Sequence, residues 1–445
     1  MYYSYPEFCI RKKDNREDDD KKSKKDEGII EINSDSNDET NNENLIKNLI
    51  KNAKSSGSSS VGGESKGLPQ IPGLVVKDYG HISFPMNELQ ANKLVEIFKP
   101  APYGFGHQTL VNKTVRDTYQ LEPSEFEIKN EEWNTNLNDL VEKVGDELGC
   151  KGGIEAKLYK LLLYKQGSHF KKHVDTEKDV GMFGTLIIQL PSIYTGGELI
   201  VHGKTCRKVY DFSQTSTNGK SAYSVYYAAH YADLEHELLE VKSGYRMVLI
   251  YNLCWKNGNG VSNNNEKSVE SMTKCLNELK QSPVALFLEH KYTEESLETN
   301  GIKALKGIDN DRYNLLKNAS DKLPADKQFD FYVVRGALEI EDAPDADMVI
   351  DRSTKIENIF KSNGHDYTLD RYNFRPVDLD FFQFIIDPNQ SINHQVDLDD
   401  SDEWGNDVEV EEEEYTGNAA GTRTTTYHKC FLGFWHKQYK PEFLR

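Results

Sequence analysis

The chain has 445 residues, enough for two or three domains with a sizeable core, and a formal net charge of −19. That balance argues against a nucleic-acid backbone as the main ligand, which would need clustered Lys and Arg. Six scattered cysteines (Cys9, Cys150, Cys206, Cys254, Cys275, Cys430) form no C-x-x-C pair and suit a reducing compartment, not a disulfide scaffold. The opening MYYSYPEFCIRKKDNREDDD lacks an apolar h-region, and no later run approaches about 18 apolar residues. Neither a signal peptide nor a membrane span is therefore predicted, and the expected location is intracellular, in cytoplasm or nucleus.

Residues Arg11 to Gly67 are dominated by charge, Asn and Ser, and KSSGSSSVGGESKG (Lys54–Gly67) has flexible-linker composition. Residues 1–67 are accordingly read as a disordered tail and linker. Within them, ENLIKNLIKNAK (Glu43–Lys54) places Leu45, Ile46, Leu49 and Ile50 at helical spacing, but is too short to hold a helix alone. GIIEINSDSNDE (Gly28–Glu39) has, from residue 29 to 39, the pattern of a SUMO-interacting segment, which would add a strand to a partner's sheet. The cluster Lys21, Lys22, Lys24 and Lys25 is interleaved with acids and reads as a solvated tail before a nuclear address.

Order is predicted from Leu68. Leu68–Pro85 reads as an extended stretch with a strand. Asn87–Lys99 reads as a helix capped by Asn87, with Leu89, Leu94, Val95 and Phe98 inward. Thr114–Pro123, with Arg116, reads either as an edge strand or as a strand facing a pocket. Asn134–Leu148 carries Leu137, Leu140, Val141, Val144 and Leu148 at helical spacing.

From Ala156 strand signals follow one another: Ala156–Lys165, His169–Asp175, Gly184–Pro191, Glu198–Gly203, Lys208–Ser213, Ala222–Ala229, and two strands within Glu237–Leu253 across Ser243-Gly244. About eight short strands behind two helices predict an α+β fold with a double-stranded β-helix, or jelly-roll, core over residues 68–256. Residues 257–445 read as a C-terminal α+β region of unassigned role. It has a helix over Val269–Lys280, a strand over Val284–Tyr292, helix over much of Thr293–Leu323 and paired strands within Phe329–Asp342. An acidic mobile loop over Asp397–Glu414 and a strand over Thr422–Lys437 complete it.

Chemistry concentrates between Leu158 and Trp255. His173 and Asp175 form an H-x-D pair, which on one strand would face the same side. A second imidazole from a distant strand would complete two histidines and one carboxylate, the set typical of non-haem Fe(II) oxygenases. His236 and His230 compete for that position; His236, followed by Glu237, an apolar strand and Ser243-Gly244-Tyr245-Arg246, fits better. Tyr164 is read with equal weight as core or ligand-facing, and Arg246, in a Gly-Tyr-Arg turn-and-strand, either as a functional cation or as half of a structural ion pair. His202, His290, His365, His394, His428 and His436 have no metal spacing.

In this order and spacing, Tyr164, His173 and Asp175, Gly196-Gly197-Glu198, His236-Glu237 and Arg246 resemble the catalytic core of the prolyl-4-hydroxylase-like, 2-oxoglutarate- and Fe(II)-dependent dioxygenases. LEHKYT (Leu288–Thr293), ALKGID (Ala304–Asp309) and YTGNAAGTRTTTYHKC (Tyr415–Cys430) also look like segments that follow this core in microbial members. The resemblance implies Fe(II) on His173, Asp175 and His236, with 2-oxoglutarate bound through Arg246 and assisted by Tyr164. Ascorbate is a candidate third cofactor. It implies molecular oxygen as co-substrate and hydroxylation of a protein or peptide side chain, proline included. The alternatives are the same chemistry on a nucleic acid, and a non-catalytic jelly-roll binder.

Overall fold

A computed structural model describes residues 38–53, 57–105, 108–150, 153–179, 181–203, 207–256, 265–280, 282–343, 348–360, 378–405, 407–413, 422–439 and 441. The lysine cluster at 21–25 lies outside them, as does the SUMO-like segment except for its last two residues. The fold is α+β with mostly antiparallel sheets. Among the described residues no helix is long and apolar enough to cross a membrane.

The principal sheet has seven strands, ordered Ser60–Ser65, Val225–Tyr231, Met182–Gln189, Arg246–Trp255, Ile154–Tyr164, Tyr119–Leu121, Lys99–Pro100. Side chains alternate across it. Leu161, Leu163, Leu186, Ile188, Met247 and Leu249 face a core shared with two helices, α2 (Glu88–Ile97) and α3 (Glu132–Leu148). From α3, Trp133 is fully buried and donates from Nε1 to Tyr251 at 3.0 Å. The opposite parity, Leu162, Tyr164, Ala228 and Val248, packs against Leu199, Val201 and Leu238 of a second sheet. That sheet has five strands, ordered Arg207–Tyr210, Leu199–His202, His236–Leu238, His169–His173, Arg116–Asp117. The site lies between the two inner faces.

Asn87 caps α2 as expected, accepting from the Gln90 N–H at 2.9 Å. Leu89, expected inward, is 79% exposed; Ala91 and Leu94 carry the buried side instead. Glu237–Leu253 holds three strands rather than two: His236–Leu238, Val241–Gly244 and Arg246–Trp255. Gly244, at φ 76°, makes the turn before the last of them possible. A Cβ there would stand 2.1 Å from the Ile193 carbonyl oxygen.

The reading of 1–67 as wholly disordered fails where the chain is described. Helix α1 (Asp38–Lys51) forms because tertiary packing supplies what its length cannot. Ile46 and Ile50 are fully buried in a core with Val269, Met272 and Leu276 of α4 (Glu266–Glu278). Beyond it, Ser60–Ser65 is the edge strand of the principal sheet, pairing in continuous register from Ser60↔His230 to Ser65↔Val225. A Gly/Ser composition resembles a linker, yet here it suits an edge with little room: a Cβ on Gly62 would stand 2.7 Å from Tyr210.

The C-terminal half is built on a six-stranded sheet flanked by α1, α4, α5 (Glu294–Asn300) and α6 (Gly307–Asp321). Two expectations change there. Phe329–Ala343 is one long strand rather than a pair; its partners are Met348–Phe360 and Thr422–His436. Part of the acidic run is no loop: Val408–Glu413 pairs with Thr422–Tyr427. Glu409 and Glu411 are exposed and stand opposite Thr426 and Thr424, so neither meets a like charge across the pair.

Ile46→Ala should therefore cost about 2–5 kcal/mol of stability, read as a lowered urea midpoint; an unchanged midpoint would mean α1 is dispensable.

Candidate metal centre

His173 ends its strand directly opposite His236, which begins the neighbouring one. Their ring centroids are 4.2 Å apart. Asp175 is not on that strand, as an H-x-D strand pair would require, but on the loop just beyond it. Its N–H donates to the Ala232 carbonyl at 3.0 Å, which brings the carboxylate back to the imidazoles. Oδ1 lies 3.7 Å from His236 Nε2 and 4.0 Å from His173 Nε2. Among the described residues, His173, Asp175 and His236 form the one group of three whose ligand atoms lie within 4.8 Å of one another.

The hydrogen bonds around the trio test whether it suits a cation. His173 Nδ1 bonds the Lys171 carbonyl at 2.7 Å, and His236 Nδ1 bonds the Leu234 carbonyl at 2.9 Å. A carbonyl only accepts, so each Nδ1 carries the proton and each neutral ring leaves a lone pair on Nε2. Thr185 donates to Asp175 Oδ2 at 2.6 Å, which leaves Oδ1 for the space shared with the rings. Three lone pairs therefore converge, each oriented by a second hydrogen bond, as metal-ligating side chains are. The donor set fits a metal ion of imidazole and carboxylate preference.

Charge supports the same arrangement. Burial, with His236 next to it, lowers the His173 imidazole to about 3. Burial alone would raise the Asp175 carboxyl, but the imidazoles of His236, His230 and His173 and the Thr185 hydroxyl outweigh it and hold it below its ordinary value. His230 is fully buried, with its ring 4.2 Å from that of His236. Its Nδ1 bonds the Tyr231 carbonyl at 3.0 Å, while its Nε2 meets no partner among the described residues. It lies outside the converging trio.

The trio opens on a cavity of about 630 Å3, counted to the solvent at its mouth. Leu162, Ile187, Val248 and Ile250 wall it. Arg246, 3% exposed, also lines it. Its Nε donates to Gln189 Oε1 at 3.0 Å, and its guanidinium lies 5.3 Å over the Tyr164 ring. Arg246 makes no ion pair among the described residues. A buried guanidinium without a carboxylate is costly, and one facing a cavity is a ready seat for an anion. Tyr164 is buried and shares that wall.

The structure adds residues that sequence reasoning passed over. Gln189 orients Arg246 and accepts from Tyr194 Oη at 2.7 Å; a glutamine inside the apolar run GTLIIQLP was its signal. Lys160 shares the inward parity of Leu162 and Tyr164, lines the cavity and donates to Gln120 at 2.9 Å. Phe170 stacks on His173 with centroids 3.4 Å apart, and Arg116 covers Phe170 at 4.5 Å. The Thr114–Pro123 segment thus faces the pocket through Arg116.

No protein-family model matches the chain, and no curated protein does. Among solved structures it is similar to a prolyl-4-hydroxylase from Pseudomonas putida, at 14% identity over 47% of this chain and 99% of that one, TM-score 0.29. It is also similar to a 2OG-Fe(II) oxygenase-family oxidoreductase from Burkholderia pseudomallei, at 15% identity over 51% and 93%, TM-score 0.25. A third is a Trichoplax adhaerens prolyl hydroxylase solved with a peptide fragment of hypoxia inducible factor, at 12% identity over 48% and 90%, TM-score 0.29.

The metal-free site has a pH signature. His173 titrates near 3 and His230 near 4 in the fold, against 6.5 ordinarily. Protons therefore favour the unfolded chain between those values and 6.5, so stability is full above pH 6.5 and falls as pH drops. For His230 the loss by pH 4 is on the order of 3 kcal/mol. His230→Phe should flatten that part of a urea-midpoint-against-pH curve; an unaltered slope would contradict the burial.

Proposed function

We propose that the chain is an Fe(II)- and 2-oxoglutarate-dependent dioxygenase whose two facing antiparallel sheets form a jelly-roll core. The observation that carries this reading is a pair of side-chain settings in one cavity. Two Nε2 lone pairs and a carboxylate oxygen converge at one end, and a buried guanidinium without a carboxylate stands on the wall. A metal site alone would not call for Arg246, and an anion site alone would not call for the trio.

His173 and His236 would hold the ion through Nε2, and Asp175 through Oδ1, leaving positions open for other ligands. When bound, iron would supply the activation of molecular oxygen, the oxidant: one oxygen atom would go to 2-oxoglutarate, which leaves as succinate and CO2, and the other to a substrate C–H bond, which becomes C–OH. The protein's own work is positional. Lys171 and Leu234 carbonyls hold the imidazole protons away from the ion, and Thr185 holds Asp175 Oδ2 out of it. Arg246 would fork onto the distal carboxylate of the co-substrate, with Gln189 fixing its Nε and Tyr164 supporting its face. Leu162, Ile187, Val248 and Ile250 would exclude water from that pocket.

The substrate we favour is a protein or peptide side chain, with proline the first residue to test; support for this is the family resemblance of the sequence. Succinate release, with ascorbate present, measures the activity. Each hydrogen bond to a charged group is worth about 1.5–3 kcal/mol, so Arg246→Ala should raise the 2-oxoglutarate requirement more than about tenfold. His173→Ala, Asp175→Ala and His236→Ala should abolish turnover while His230→Ala keeps it. Full turnover in any of the three would refute the ligand assignment. Stimulation by oligonucleotides and not by peptides would move the substrate to nucleic acid.

A further inference from the structure

The segments Leu288–Thr293 and Ala304–Asp309, conspicuous in the sequence, have no part in the cavity. In the fold they meet in one buried cluster. Asp309, in the first turn of α6 and 1% exposed, accepts three donors: the Glu289 N–H at 2.8 Å, the His290 N–H at 2.9 Å and the Tyr292 hydroxyl at 2.9 Å. Three bonds on one carboxylate fix the turn that follows the Val284–Phe287 strand. Arg312, one turn along α6, closes on Glu289 at 2.6 Å. Gly307, at φ 42°, allows the approach: a Cβ would stand 3.0 Å from His290 Nε2 and 3.2 Å from Tyr231 Oη.

What this turn grips belongs to the other half of the molecule. His290 Nδ1 lies 3.1 Å from Asp233 Oδ2, and the Lys291 N–H donates to the same oxygen at 3.2 Å. Asp233 is three residues before His236. The Thr293 hydroxyl donates to Glu177 Oε2. Lys306, 1% exposed, donates from Nζ to the Lys291 carbonyl at 2.9 Å and stands 3.5 Å from Glu177 Oε1. Glu177 is two residues after Asp175. One carboxylate on the loop that bears Asp175 and one on the turn that leads into the His236 strand are thus tied to the same four residues, His290 to Thr293.

We propose that this turn, with Lys306 and Asp309 behind it, clamps the two loops and sets the separation of Asp175 from His236, so that the C-terminal half completes the metal site. The inference rests on the metal-site reading above. Asp175 and Asp233 lie outside the strand ladders, where few backbone bonds such as Asp175 N–H to the Ala232 carbonyl act, so side-chain ties add to what sets their positions. Burying Lys306 and most of Asp233 to make them is costly, and apolar groups would pack two regions together more cheaply. Charged ties bring direction as well as adhesion. Glu177, Asp233, His290 and Lys306 are positioning residues: none is among the ligands.

Cobalt(II) added to the metal-free, full-length protein reads affinity and ligand geometry from visible absorption without any turnover. Glu177→Gln and Lys306→Met should each weaken cobalt(II) binding roughly 10–100-fold, the range for lost outer-shell support, and alter the absorption band. Because both break one tie, the double variant should bind no worse than the weaker single variant. Thr293→Ser keeps the hydroxyl and should match the unaltered chain. Glu177→Gln preserves shape at a loop, so it decides the matter even if Lys306→Met fails to fold. Unchanged affinity and an unchanged band in folded Glu177→Gln overturn the clamp. A lack of cobalt(II) binding by the unaltered chain overturns the metal site itself.

Discussion

Where the His169–His173 and His236–Leu238 strands pair, His173 and His236 stand opposite one another, and the site follows from that register. Residues opposite in an antiparallel pair share a face, so both imidazoles enter the space between the sheets. A slip of one residue would send one of them to solvent. An irregularity in pairing between Phe170 and His173 lets both rings of the His169–His173 strand face inward and stack. The orienting bonds repeat the same local device: each imidazole bonds the carbonyl two residues before it, Lys171 for His173 and Leu234 for His236. Ring direction is therefore written into the backbone on either side of the pair, not borrowed from remote partners.

Whole-chain charge is a poor guide to the field inside. A chain of net charge −19 places Arg116, Lys160 and Arg246 in the lining of its cavity. Asp175 is the sole carboxylate among the described lining residues. The acidic surplus lies elsewhere, much of it on exposed strands and loops such as Glu409 and Glu411. Interior and exterior charge answer to different constraints: solubility outside, the shape of an anionic ligand inside.

The helices and most central strands were legible because local patterns determine them. Asn87 and the spacing of Leu137, Leu140, Val141, Val144 and Leu148 needed no partner to be recognised. The trio and Arg246 were legible as an ordered set of residue types, although Asp175 reaches the site from a loop. What stayed hidden depends on contacts far apart in the chain. Ser60–Ser65 becomes a strand only by pairing with Val225–Tyr231, and Val408–Glu413 only beside Thr422–Tyr427. Ile46 and Ile50 signalled a helix but not the α4 surface that stabilises it. Leu89 was misplaced because an apolar residue in a first turn can be left outside when Ala91 and Leu94 suffice for the core.

Contact across the chain bears most on how residues 68–256 relate to the C-terminal α+β region expected from residue 257. Helix α1 lies before the principal sheet in sequence yet buries its isoleucines in the C-terminal core, and Arg312 of α6 donates to the Ile50 carbonyl at 3.2 Å. Val61, on the Ser60–Ser65 strand of the next described segment, belongs to the core of the principal sheet, so neighbouring segments of the chain serve both cores. A second tie is ionic and lies at the ligand loops, where Asp233 and Glu177 meet His290, Thr293 and Lys306. Two appended modules would need neither. With both present, a shift of the C-terminal half relative to the sheets moves the residues flanking Asp175 and His236, because the ties are directional hydrogen bonds. Apolar contact alone would let the surfaces slide.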